Sequence, residues 1–206
     1  MPIKETKIRL FSSEFEEMIN KRQVSSDTVF IDKKIWNEYG KTYSIMVTDL
    51  SGFTSNSIER GILNFISLIY EAMILTEAIV EENNGEILKT IGDTFVILFP
   101  NPKDSVKCAI EIQNALRVSN KIKAESLKLH MSVGIGYGQV LKVSNNDIFG
   151  VELNIASKLG EDIGIPNEIL ISEEVRNYIN EYELLYNYEL ITTEYNIGKV
   201  YKLKFK

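Results

Sequence analysis

The sequence contains one cysteine, Cys108, and one histidine, His130. A lone thiol excludes an internal disulfide framework and a cysteine-rich zinc site. A lone imidazole excludes every His–His metal motif and argues against a Ser–His–Asp triad. Excess positive charge is also missing: 23 Lys and Arg stand against 29 Asp and Glu, a net charge of −6. No broad basic face is left to displace counterions, so nucleic acid is not an expected partner. Long low-complexity tracts are absent. With 44% hydrophobic residues in 206, the chain has material for one sizeable core. The first residues, MPIKETKIRLFSSEFEEM, lack the apolar run and small-residue cleavage site of a secretory signal. The longest apolar stretch, Ile62 to Val80, carries Asn64, Glu71 and Glu77, and carboxylates at such depth are costly in lipid. It reads as a buried or interface helix. The expectation is a cytoplasmic protein without membrane insertion, whose chemistry rests on carboxylates, lysines and backbone amides.

Residues 1–40 are polar and mixed, with too few core residues to stand alone. They read as an N-terminal arm, with a helix in SSEFEEMINKRQ capped by Ser12 or Ser13. Residues 41–206 form the main domain. YSIMVTDL predicts a strand ending at Asp49, and a long helix is expected from about Ser57 to a stop at Asn83-Asn84-Gly85. GEILKTIGDTFVILF predicts two strands joined at Gly92-Asp93. DSVKCAIEIQNALRV has helical spacing. LKLHMSVGIGYGQVLKV predicts a second strand pair broken around Gly136 to Gly138. A helix in VELNIASKLGEDIG, a strand in EILIS, a helix in SEEVRNYINEY and a terminal edge strand in GKVYKLKFK complete the chain. Lysines in that last strand would discourage further pairing. The order β-α-β-β-α-β-β-α-β-α-β-β begins as a split βαβ, ferredoxin-like core. The expected fold class is an α/β sandwich with C-terminal additions.

Asp49 and Asp93 each fall where an apolar strand meets a turn, on strands that neighbour each other in a split βαβ sheet. Paired carboxylates repel unless a cation neutralises them, and hard divalent cations favour such oxygen ligands. The alternative is that both are turn-favouring aspartates. Leu50-Ser51-Gly52-Phe53-Thr54-Ser55 then offers backbone N–H groups at a helix start, an anion site suited to a di- or triphosphate. A simple N-cap by Thr54 or Ser55 is compatible with that role. The run GIGYG mimics part of a dinucleotide fingerprint, but the expected strand after it removes the required geometry. His130 is expected as a partly buried strand residue and Cys108 as core.

VTDLSGFTS, LKTIGDTFVILF and DIFGVELNIASKLGEDIGIPNEILIS, in this order, resemble the catalytic domain of class III adenylate/guanylate cyclases of the bacterial single-domain type. The resemblance covers roughly residues 43–172. It implies that Asp49 and Asp93 bind two metal ions per site, Mg²⁺ or Mn²⁺, with the Leu50 carbonyl as a further ligand. Gly52, Phe53 and Thr54 fall in the phosphate-binding turn. Lys89 and Asp147 match the pair that reads adenine, and Asn154 matches the asparagine that orients the ribose. Lys158 stands where most members have an arginine that stabilises the pentavalent phosphate, and Lys199 matches a late lysine on the triphosphate. Lysine is a point charge where arginine offers a planar fork. Val151 replaces a polar residue common at its position.

The implied activity is attack of the ribose 3′ oxygen of a nucleoside triphosphate, most readily ATP, on its α-phosphorus, releasing pyrophosphate. The implied assembly is a head-to-tail homodimer with two equivalent composite sites. The helix from Ile62 and the 134–143 segment are the expected contact surfaces. The competing readings are a cyclase acting on GTP or a pyrimidine nucleotide, and a non-catalytic cyclase-fold module that binds a nucleotide or partner.

Overall fold

The computed structural model describes residues 11–51, 61–181 and 186–205. The arm folds as two helices, α1 (Ser13–Val24) and α2 (Thr28–Tyr39). The Ser12 hydroxyl accepts from the Phe15 amide at 3.2 Å and starts α1. After the arm come β1 (Gly40–Leu50), α3 (Ile62–Glu82), β2 (Glu86–Ile91), β3 (Thr94–Phe99) and α4 (Pro102–Asn120). Then follow β4 (Met131–Lys142), β5 (Ile148–Phe149), α5 (Val151–Ser157), β6 (Ile169–Ser172), α6 (Glu173–Glu181), β7 (Asn187–Ile191) and β8 (Val200–Lys204). From β1 onward this is the expected order. The long helix is described from Ile62; residues 57–60, where it was expected to begin, lie outside the described residues.

The strands form one sheet in the order β2-β3-β1-β4-β6-β8-β7, with β5 paired to β4. All pairs are antiparallel except β4 with β6. The two faces of β1 separate the cores. Met46 and Leu50 join Phe95, Ile97, Ala109, Ile112, Met131 and Ile179 beneath α3, α4 and α6. Ile45 and Val47 face the other way, clustering with Leu88, Val96, Val140 and Ala156 of α5. The arm closes over a corner of the sheet, where Phe15 and Ile35 bury against Val143.

Two expected strands are corrected. Residues 131–142 form one continuous strand, not a hairpin broken at Gly136 to Gly138. The alternating glycines there serve closeness on one face. A Cβ on Gly134 would lie 2.2 Å from the Ala156 carbonyl oxygen, and one on Gly136 would lie 2.6 Å from that of Glu152. The strand is thus shaved so that α5 can rest on its backbone. The terminal strand is not an edge strand either. β8 pairs with both β6 and β7, burying Val200, Tyr201 and Leu203. Lys202 and Lys204 are instead matched by Glu168 and Glu189. Cys108 is fully buried as expected. His130 sits half-buried, one residue before β4.

α3 is long and apolar enough to cross a membrane by length and composition. One side buries Phe65, Ala72, Thr76 and Val80, while Ile62, Ile66, Tyr70 and Ile74 are each at least 50% exposed on the other. These four recur at helical spacing and make one apolar stripe.

The glycine face yields a direct test. Gly134→Ala should lower the unfolding free energy by about 1–3 kcal/mol, the usual range for overpacking, measured by urea denaturation. An unchanged midpoint would show that α5 can stand further from β4.

Candidate active site

Asp49 is the penultimate residue of β1, half-buried, on the same face as Ile45 and Val47. Asp93 occupies the two-residue turn between β2 and β3. Because β3 lies beside β1, with Thr48 opposite Phe95, the turn brings Asp93 alongside Asp49. The electrostatics record this nearness. Partial burial pushes the Asp49 carboxyl up to about 6, and the charges of Asp93 and Glu161 push it the same way. Burial also raises Asp93, opposed by its own backbone hydrogen bond. Glu161 is raised by burial as well. The Thr94 hydroxyl, hydrogen-bonded to its carboxylate, pulls it down, and Asp162 and Asp93 push it up.

Glu161 was not foreseen from the sequence. It lies on a π-helical turn, Lys158–Ile163, that continues α5, and the wider turn breaks the 3.6-residue phase from which its facing could be read. Among the described residues no three carboxylate, imidazole or thiol groups close on one point as a ready metal cluster. The donor set nevertheless fits a hard divalent cation completed by substrate and water. Mg²⁺ is commonly held by one or two carboxylates plus phosphate oxygens. A cation would also relieve the repulsion that raises Asp49. Leu50 contributes a buried side chain to the core, which leaves its backbone carbonyl as the group available to a metal. Gly52, Phe53 and Thr54 lie outside the described residues.

Lys89 and Asp147, 58 positions apart in sequence, are brought into a partly buried ion pair with side chains 28% and 30% exposed. Two local features achieve this. The register of β2 shifts between Ile87 and Lys89, so that Lys89 stands opposite Val96. Strict alternation from Ile87 would send Lys89 to the α3/α4 face. The bulge returns it to the face of Val96, toward α5. Asp147 is set by the turn before β5, where its carbonyl accepts from the Val143 amide at 3.2 Å.

Asn154 is exposed on α5, and its carbonyl accepts from the Lys158 amide. Lys158 pairs with Asp162, and its ammonium lies 4.8 Å from the centre of the Tyr195 ring. The hydrogen bond to Asp162 raises its pKa. Lys199 pairs with Glu173 at 2.7 Å with its own side chain 61% exposed. It stands apart from the aspartates in this arrangement. Glu152, also unforeseen, is half-buried between α5 and β4 and accepts from the Tyr137 amide at 3.2 Å. That bond ties α5 to β4 beyond Ile135, the last β4 residue paired with β6.

Residues 37–199 match the model of the adenylate and guanylate cyclase catalytic domain. The chain belongs to this family. Among curated relatives, Putative adenylate cyclase 3 of Rhizobium meliloti (strain 1021) is 27% identical over 104 residues, covering 50% of this chain and 17% of the relative. Adenylate cyclase type 9 of Xenopus laevis is 24% identical over 153 residues, covering 69% and 12%. The chain thus spans less than a fifth of the length of these two relatives. Among solved structures, the adenylate/guanylate cyclase/hydrolase from Silicibacter pomeroyi superposes with a TM-score of 0.69 at 22% identity, covering 81% of this chain and 98% of that one. The adenylyl cyclase CyaB from P. aeruginosa gives 0.68 at 20%, covering 81% and 95%. The expected cyclase-type fold is therefore observed.

The raised Asp49 carboxyl predicts a pH-dependent stability without metal. The folded state binds this proton more tightly than the unfolded chain. Stability from this group is therefore present in the ordinary carboxylate range and lost as pH rises through about 6. In EDTA, Asp49→Asn should raise the urea midpoint at pH 7, and the gain should vanish near pH 4. An equal gain at both pH values, or a loss at pH 7, would contradict the assignment.

Proposed function

We propose that the protein is a nucleotidyl cyclase that converts a nucleoside triphosphate, with ATP preferred, into its 3′,5′-cyclic monophosphate and pyrophosphate. The observation that carries this reading is the Lys89–Asp147 pair, assembled by a β-bulge and a turn from distant parts of the chain. A half-buried ion pair has modest value to the fold, but its free donor and acceptor atoms can read a base edge.

In this reading Asp49 and Asp93, with the Leu50 carbonyl, hold two Mg²⁺ or Mn²⁺ ions. Ions bound there would supply Lewis-acid activation of the ribose 3′-OH and charge neutralisation on the phosphates. Asn154 orients the ribose. Lys158 and Lys199 balance charge developing on the phosphate oxygens. Both must first be drawn from Asp162 and Glu173, which are exposed partners and therefore weak competitors for a polyphosphate. Gly52, Phe53 and Thr54, by their match to the family's motif, contribute to binding the triphosphate.

The active unit is a homodimer. Asp49 lies at the C-terminal end of β1. Asp147 follows the end of β4, whose Leu141 pairs with Gly40 at the start of β1. Lys89 stands level with Val47 through Val96 but turns to Asp147, so Asp49 and the Asp147 side of the base-reading pair belong to opposite ends of an eleven-residue strand. A site shared between two chains joins them, and the exposed apolar stripe of α3 offers surface for that pairing. We place the protein in the cytoplasm, consistent with its ionic surface and lone buried thiol.

A second reading, a non-catalytic nucleotide-binding module, is favoured by one observation. Lys158, at the position expected to meet the phosphate, is neutralised by Asp162. Incubating purified protein with each nucleoside triphosphate and Mn²⁺, then identifying products by mass, separates the two. A cyclic monophosphate is expected, and its absence with every triphosphate would favour the module.

The base preference is a further expected outcome. Adenine offers an acceptor at N1 and a donor at its 6-amino group, matching Lys89 and Asp147. Guanine presents the reverse. Two unpaired polar groups, each costing about 1–3 kcal/mol, imply a preference for ATP over GTP of order a hundredfold in kcat/KM. Lys89→Glu combined with Asp147→Cys should erode it. Cytosine also pairs an acceptor with an amine, so CTP is the substrate to compare most closely. A kcat/KM for CTP or GTP at or above that for ATP would overturn the base assignment.

A further inference from the structure

On the opposite face of the sheet lies a cavity of about 350 Å³, within the size range of small-molecule sites. Its charged lining is cationic, Arg117 and Lys121 at the end of α4 and Lys128, with the His130 ring beside them just before β4. Among the described residues no carboxylate and no aliphatic side chain lines it. In a chain of net charge −6, such a gathering of cations needs a reason. Folding does not supply one, because like charges drawn together repel.

The remaining walls are three amides held in place by hydrogen bonds. Gln113 donates to the Met131 carbonyl at 2.8 Å. Asn120 brackets residue 129, donating to its carbonyl at 2.7 Å and accepting from its amide at 2.8 Å. Asn167 and the His130 Nδ1 lie 3.0 Å apart. The frame is therefore set before any ligand arrives, which lowers the cost of ordering on binding. The cations stay available. Arg117 rests over the Phe205 ring at 5.8 Å. Lys121 makes no ion pair among the described residues. Lys128 is matched by Glu125 at 2.5 Å, but that carboxylate is 83% exposed, and so open a pair is worth little.

The cavity lies across the sheet from Asp49. Asp49 shares the α5 face with Ile45 and Val47, whereas Gln113 and Arg117 extend from α4, which covers the face of Met46 and Leu50. The two are nonetheless joined through one backbone bond. The Ser51 amide, two residues after Asp49, donates to the His130 carbonyl at 2.9 Å.

We propose that this cavity binds a small multivalent oxyanion, a pyrophosphate or a tricarboxylate, through Arg117, Lys121, Lys128 and His130. Charge-assisted bonds from several fixed donors suit an anion bearing two or more charges. The inference does not depend on the catalytic reading.

The single histidine makes a clean reporter, since its ring resonances have no competitor in the spectrum. Sodium pyrophosphate, citrate and chloride would each be titrated at matched ionic strength, in EDTA to suppress metal-mediated binding at the aspartates. A saturable shift of the His130 ring with pyrophosphate or citrate, absent with chloride, is expected. Whichever anion binds more tightly identifies the phosphate or the carboxylate class. Calorimetry should show Arg117→Gln with Lys121→Gln weakening that anion by about tenfold or more. Lys121→Gln alone, at an exposed position, should weaken it less, and Lys204→Gln, outside the cavity, should not weaken it. No saturable shift with either oxyanion, the same shift with chloride, or unchanged affinity in the double variant would overturn the proposal.

Discussion

The structure depends on the contact between α5 and the bare backbone of β4. Side chains at Gly134 and Gly136 would collide with the helix backbone, so their absence sets how closely α5 approaches the sheet. That closeness determines where the rest of the site stands. Asn154 lies on α5, and the π turn that continues it begins at Lys158 and carries Glu161 to the neighbourhood of Asp49 and Asp93. Glu152 completes the contact by accepting from the Tyr137 amide. One packing constraint thus aligns groups from three distant segments.

Electrostatics then divides the α5 face into two unlike parts. At the end of β1, burial and mutual repulsion leave carboxylates short of positive charge. Around them, Lys89 and Asp147 neutralise each other, and Lys158, close enough to lower the pKa of Glu161, and Lys199 rest against acids of their own. The first arrangement is under-compensated and suits a cation. The second is compensated, at Lys158 and Lys199 by open ion pairs that are worth little to the fold. The basic cavity beneath α4 inverts this pattern on the opposite face.

Much of this was legible in the sequence, for physical reasons that also explain the failures. Asp49 and Asp93 announce themselves because a carboxylate at the end of an apolar strand breaks its pattern. The body of α4 was legible in the helical spacing of DSVKCAIEIQNALRV, whereas its start two residues earlier, with Asn101 as cap and Pro102 in the first turn, was not. The glycines of β4 misled, because glycine marks a turn and a close approach alike, and which of the two applies depends on a helix twenty residues further on. The lysines of β8 suggested an edge, since their partners Glu168 and Glu189 are supplied only by the fold. The bulge at Leu88 and the π turn at Lys158 were not legible either. Both alter the periodicity on which facing is inferred. Lys89 and Asp147 were found only through family resemblance, since nothing in their spacing predicts that they meet.

The central claim is that one protomer's aspartates work with the partner's base- and ribose-binding groups. The most direct measurement mixes two inactive proteins, Asp49→Ala and Asn154→Ala, after subunit exchange has been verified. The account predicts that cyclase activity reappears, because one of the two sites in the mixed dimer carries neither substitution. A mixture that stays inactive despite confirmed exchange would contradict it and place the complete site within a single chain.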